Sequence, residues 1–257
     1  MDKLPAIAGW QWVKEGFALF RKQPVEMSTL FLSYLFVLLA MHFIPYAGQF
    51  LAVVLTPVLS MAFMQACVQI EQGKKVYPTL LATGFRKPAF KPLFQLGVLY
   101  LLTSLLAYAA FNLVGDNVFT QMMDRKLDPA SVSMSGLFLA GVVMLLLTPA
   151  FMAFWYAAPL ICWKRMSVGK ALFYSFFAVR RSGKPFILYG LAWFMLCALV
   201  GLVISLLSVL VSSWLRLLLP PVSLILAVVI QCSFYPTYTA VFGRPDDATS
   251  PSEKMMP

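Results

Sequence analysis

Four glutamines are the polar side chains best placed to act inside an otherwise oily chain: Gln65 and Gln69, four residues apart on one helical face, Gln95, and Gln231. An amide in hydrocarbon needs a partner. Interhelical hydrogen bonds would supply one at about 0.6 kcal/mol each and seldom more than about 2; the other reading is a polar cavity. Chemistry beyond that has little to work with. Catalysis requires a positioned acid, base, nucleophile or metal, and no Asp, Glu, Lys or Arg occupies the centre of any long apolar run. Ion pathways and proton relays place such charges at mid-membrane. The single histidine, His42, stands at the end of an apolar run, and no Cys-x-x-Cys or His-x-x-x-His spacing occurs, so no metal site is expected. Cys67, Cys162, Cys197 and Cys232 fall in apolar runs or at their ends and read as small hydrophobes. Asp116, Asp124 and Asp128 read as a solvated acidic loop. With no glycine-rich phosphate loop or nucleophile elbow either, no cofactor and no catalytic residue is expected, and the chain is not read as an enzyme.

The elements that carry these residues follow from composition. Hydrophobic residues make up 61% of the 257 positions and charged ones only 12%, against about 45–50% and about 25% in ordinary soluble domains. So much apolar surface cannot be hidden within one compact domain, and the solvent must be lipid. At about 20 apolar residues per crossing, six spans are expected, over about 27–44, 50–70, 93–114, 136–163, 186–211 and 217–242. The fourth run is long enough to require tilt, or to reach into the headgroups through Trp155, Tyr156 and Trp163. The expected fold class is all-α, a polytopic membrane protein, with a six-helix transmembrane domain over 1–243 and a disordered tail over 244–257. The first run reads as an uncleaved helix, because more than twenty residues with Trp10, Trp12, Phe17 and Phe20 precede it.

Six spans place both termini on one side and divide the basic residues 17 to 3. One face receives those before residue 23, between 74 and 91, between 164 and 184, and beyond 243; the other receives only Arg125, Lys126 and Arg216. The positive-inside rule then predicts cytoplasmic N- and C-termini. Cations flanking helix ends suit anionic lipid headgroups, at about 1 kcal/mol per Lys or Arg, better than nucleic acid, which is not expected as a partner. The candidate headgroup contacts are Arg21, Lys22, Arg86, Lys87, Lys91, Arg180, Arg181 and Lys184. A protein partner or a homo-oligomer is left open.

An aromatic segment, a basic pair and a proline precede each odd-numbered span, as in Phe17 to Pro24, Phe85 to Pro92 and Phe177 to Pro185. Leu55-Thr56-Pro57 is repeated as Leu147-Thr148-Pro149. The expectation is three repeats of an interfacial amphipathic helix plus a helical hairpin. On a helical wheel Trp12, Val13, Gly16, Phe17, Leu19 and Phe20 share one half of the first such helix, which would lie flat on the inner leaflet. Prolines within the even-numbered spans free a carbonyl each, which the preceding Thr hydroxyl or a neighbouring helix could help to satisfy.

The stretch Ala158-Pro159, Lys164-Arg165-Met166, Gly169-Lys170-Ala171-Leu172, Ser175, Arg180 and Lys184-Pro185 resembles uncharacterised bacterial multipass proteins related to the membrane domain of glycerophosphodiester phosphodiesterases. Trp12 to Pro24 and Gln72-Gly73-Lys74 fit the same group. Their soluble catalytic domain is missing, so the resemblance implies no catalytic residue; it implies a multipass protein of the bacterial inner membrane. Two functions are expected: a non-catalytic integral membrane protein whose basic face engages anionic lipid or a protein partner, or a transporter or flippase for an amphipathic or lipid-like solute.

Overall fold

A computed structural model describes residues 4–45, 47–114 and 134–245. Among them the chain is all-helical: α1 (Ala8–Lys22), α2 (Pro24–His42), α3 (Gly48–Glu71), a 3-10 segment (Pro78–Phe85), α4 (Phe90–Val114), α5 (Met134–Trp155), α6 (Ala157–Lys164), α7 (Val168–Arg181), α8 (Gly183–Leu210), a second 3-10 segment (Ser213–Leu218) and α9 (Leu219–Phe242). Six stretches are long and apolar enough to cross a membrane: Pro24–His42, Gly48–Glu71, Phe90–Phe111, Gly141–Lys164, Gly183–Leu210 and Trp214–Phe242. The expected acidic loop with Asp116, Asp124 and Asp128 lies outside the described residues, as does the tail beyond Pro245.

The most enclosed span is α3, whose Val58, Met61, Ala62, Phe63, Met64, Ala66 and Cys67 are buried. It is held by close backbone approach. A Cβ on Gly97 of α4 would run into the Val54 carbonyl, and one on Gly84 into that of Val58. In lipid, where apolar side chains gain little by leaving the solvent, such small-residue contacts carry helix packing. One end of the bundle collects the N-terminal segment, the C-termini of α3 and α9 and the α7–α8 junction. Gln23 donates to the Lys74 carbonyl at 2.7 Å and accepts the Val76 N–H at 3.0 Å. At the same end the Tyr235 hydroxyl donates to Glu71 at 2.8 Å, and Arg244 lies 3.7 Å from that carboxylate.

Several expectations change. The fourth span is neither one continuous helix nor anchored by Tyr156 in the headgroups: Tyr156 is buried, and the helix breaks there between α5 and α6. The cause is a side chain inserted in the helical ladder. The Tyr156 N–H would ordinarily donate to the Met152 carbonyl; instead it donates to the Ser175 hydroxyl at 2.8 Å, which donates to Met152 at 2.8 Å. Pro159, which has no N–H for the Trp155 carbonyl, extends the break.

The apolar face of α1 is covered by protein rather than lipid. Trp12, Val13, Gly16 and Leu19 are buried, and the helix packs on α8 and α9. A Cβ on Gly16 would meet Ser233, and one on Gly9 the Pro185 carbonyl. Trp12 packs against Phe186 with ring centres 5.4 Å apart, and Phe17 stacks on Trp193 at 5.9 Å. The segment before α4 is a 3-10 helix, whereas those before α2 and α8 are α-helices. The proline-linked threonines also bond differently. Thr56 and Thr148 donate to the carbonyls of Ala52 and Met144, each one residue before the carbonyl that Pro57 or Pro149 leaves without its N–H.

Candidate functional site

The α7–α8 junction gathers cations at a helix boundary. Arg180 and Arg181 end α7, where positive charge complements the helix dipole. The buried Ser182 follows, and Gly183, Lys184 and Pro185 open α8. Proline in that first turn loses no ladder bond. Arg180, Arg181 and Lys184 are all exposed. With Phe177, Gly183, Pro185 and Ile187 they surround a recess of about 1090 Å³, closed on one side by Leu4, Pro5 and Ala6 of the N-terminal segment.

An apolar groove of about 700 Å³ adjoins this recess, sharing Arg180, Gly183 and Ile187 with it. Thr148, Phe151, Met152 and Trp155 of α5 form one wall; Phe186, Tyr189, Gly190 and Trp193 of α8 form the other; Ile230, Gln231 and Phe234 of α9 make the floor. The groove stays open partly because α8 offers no side chain at two positions. A Cβ on Gly183 or Gly190 would meet nothing within 4 Å. Through Trp155, Gln231 and Phe234 the groove borders an inner cavity of about 210 Å³ between α3, α4, the α5–α6 break and α9, where Thr56, Pro57, Ser60 and Tyr100 also face. Tyr100 and Phe154 in turn border a cleft of about 60 Å³ between α4 and α5, near Thr103 and Ser104.

Aromatic side chains hold this end of the groove in place. Phe186 touches Trp12, Trp155 and Tyr156, with ring centres 5.4, 5.5 and 6.0 Å away. The Tyr156 hydroxyl donates to the Thr237 carbonyl at 3.0 Å, fixing the break against α9. The Tyr189 and Ser233 hydroxyls, 2.7 Å apart, join α8 to α9. Elsewhere on α1, partial burial and then the negative charge of Glu71 push the Glu15 carboxyl above its ordinary value.

The structure sorts the candidate residues. Arg180, Arg181 and Lys184 share one recess. Arg21, Lys22, Arg86, Lys87 and Lys91 are exposed and border none of the cavities described above. Among the described residues no hydrogen bond joins any two of the four amides, and of the four Gln231 alone lines a cavity described above. Gln231 is half-buried and borders both the groove and the inner cavity. Gln65 and Gln69 are half-buried, and Gln95 is exposed. Sequence reasoning missed Gly190 and Ser175 as working residues. Gly183 and Gly190 are seven apart, which puts both on one helical face, and that spacing was the available signal. Among the described residues no group of three or more His, Cys, Asp or Glu could hold a metal ion.

The chain is similar to a probable inner membrane protein of Burkholderia thailandensis, 31% identical over 253 residues that cover 94% of this chain and 93% of the relative. It belongs to that family of inner-membrane proteins. Six apolar spans and this kinship make it a bacterial multipass inner-membrane protein. The relative's name indicates no catalytic activity. No family model and no solved structure matches the chain.

Proposed function

We propose that this protein is a non-catalytic membrane component whose basic end faces the cytoplasm and binds anionic phospholipid headgroups. The observation that carries the reading is the recess at the α7–α8 junction, which Arg180, Arg181 and Lys184 line beside an apolar groove. Three cations at the membrane surface attract an anionic headgroup by about 1 kcal/mol each. The resemblance to the membrane domain of glycerophosphodiester phosphodiesterases belongs to the same proposal, since the recess lies within the stretch that carries it.

The test reconstitutes the protein in nanodiscs of mixed phosphatidylglycerol and phosphatidylcholine and measures the lipid retained on extraction. Phosphatidylglycerol enrichment is expected in the native chain and its loss in an Arg180→Gln, Arg181→Gln, Lys184→Gln variant. Equal retention of the two lipids by the native chain overturns the reading. Reporter fusions at both ends test the orientation, and an exported terminus refutes it.

A second reading, passage of a lipid-like solute, is favoured by one observation: Gln231 borders both the groove and the inner cavity. Replacing Gln231 by Leu should abolish transbilayer movement of a labelled lipid if this reading holds, and leave it unchanged if the protein only binds.

A further inference from the structure

We infer that the groove between α5 and α8 is a slot for one acyl chain of an anionic phospholipid whose phosphate sits in the adjoining basic recess; the inference rests on the headgroup reading above. Three observations converge. First, the slot and the recess adjoin, sharing Arg180, Gly183 and Ile187, so a basic recess stands next to an apolar groove. An amphiphile with an anionic head and an oily tail matches that order of chemistry. Second, the depth fits. From Gly183 to Trp193 the groove follows ten residues of α8, about 15 Å at 1.5 Å per residue. Half of a hydrocarbon core about 30 Å thick is the same length. The slot therefore accommodates a chain anchored in one leaflet. Third, the wall is formed to leave room: an added Cβ at Gly190 meets nothing, while Phe186, Trp193 and Phe234 give the chain rigid surfaces to lie against.

Ordinary annular lipid would not distinguish this groove from the rest of the bundle. Tails are as apolar as the helices, so chain burial alone gives no preference. The selective part comes from the cations, and the slot determines where the chain of the selected lipid goes. Placing a side chain into the slot should thus move the tail without abolishing headgroup preference.

The experiment uses the full chain in nanodiscs with phosphatidylglycerol or phosphatidylcholine carrying bromine on the acyl chains, which quench nearby tryptophans. Trp155 and Trp193 line the slot and report its occupancy. The native protein should show stronger quenching by brominated phosphatidylglycerol than by brominated phosphatidylcholine. Gly190→Leu, which fills the slot, should reduce that excess to the phosphatidylcholine level while phosphatidylglycerol retention persists. Gly201→Leu, on the same helix outside the slot and also in open space, should leave the excess intact and controls for folding. Neutralising Arg180 and Lys184 should lower the phosphatidylglycerol preference by up to about thirtyfold and remove the excess quenching with it. Retention without excess quenching, or excess quenching unaffected by Gly190→Leu, overturns the slot while the headgroup reading stands. No phosphatidylglycerol preference in the native chain overturns both.

Discussion

Replacing Ser175 by Ala tests the account of the broken fourth span. Ser175 is fully buried, and its hydroxyl both accepts the Tyr156 N–H and donates to the Met152 carbonyl, each at 2.8 Å. Removing it leaves two backbone groups without partners, and an unsatisfied buried group costs about 1–3 kcal/mol. The ladder could repair itself by a direct bond from Tyr156 to Met152, but only if α5 and α6 straighten. Tyr156 is tied to Thr237 and packed by Phe234, Tyr238 and Phe242, which opposes that movement. With two groups orphaned the expected loss is at least about 2 kcal/mol, larger than the mean of about 0.6 for side-chain hydrogen bonds between membrane helices. Ser33→Ala is the comparison: that hydroxyl bonds Thr29 of its own exposed helix, and its removal should cost under about 0.5 kcal/mol. Unfolding by denaturing detergent in mixed micelles measures both, and spin labels on α5 and α6 report the angle between them. A Ser175→Ala protein with native stability and native label distance refutes the inserted-hydroxyl account.

Two buried tyrosines should respond differently to loss of the hydroxyl. Tyr156→Phe breaks the bond to Thr237 and should cost about 1 kcal/mol of stability, read as a lower unfolding midpoint. The buried Tyr238 hydroxyl has no hydrogen-bond partner among the described residues, so Tyr238→Phe should leave the midpoint unchanged or raise it; thermal melts in detergent distinguish the two. For Glu15, burial and Glu71 disfavour the carboxylate in the fold, so its contribution is fully present below the unfolded value and lost as pH rises through the raised folded value. Melting against pH should therefore show Glu15→Gln more stable than the native chain near neutrality, with the advantage vanishing in acid.

Span number was legible because apolar length is a one-dimensional property: twenty residues of Leu, Val, Phe and Ala must be in lipid whatever their neighbours. The break at Tyr156 was not, since its cause is a hydroxyl nineteen positions further along that reaches the ladder only after the chain has turned through Arg165, in the left-handed conformation at φ 50°. The amphipathic pattern of α1 announced an apolar face but not what covers it. Gly9 and Gly16, one above the other on that face, were the mark of a helix docking closely on protein. At the site, cation positions were visible as a cluster around 180–184. The groove was not, because it arises from what α5 and α8 fail to fill. The four amides carried too little information: polarity in a span shows that a partner is needed, not which helix presents it.

The docking of α1 on α8 and α9 has a consequence for biogenesis. Helix α1 is made before α8 and α9 and finds its seat only once that hairpin, about 200 residues later, has been added. At about 5–20 residues per second, that is a wait of roughly 10–40 s. Throughout that interval Trp12 and Val13 lack the Val229, Tyr189 and Trp193 surface that later encloses them. A chain stalled or cut short before α9 therefore keeps α1 unmoored, with Trp12 and Val13 lacking the Val229 side of their enclosure.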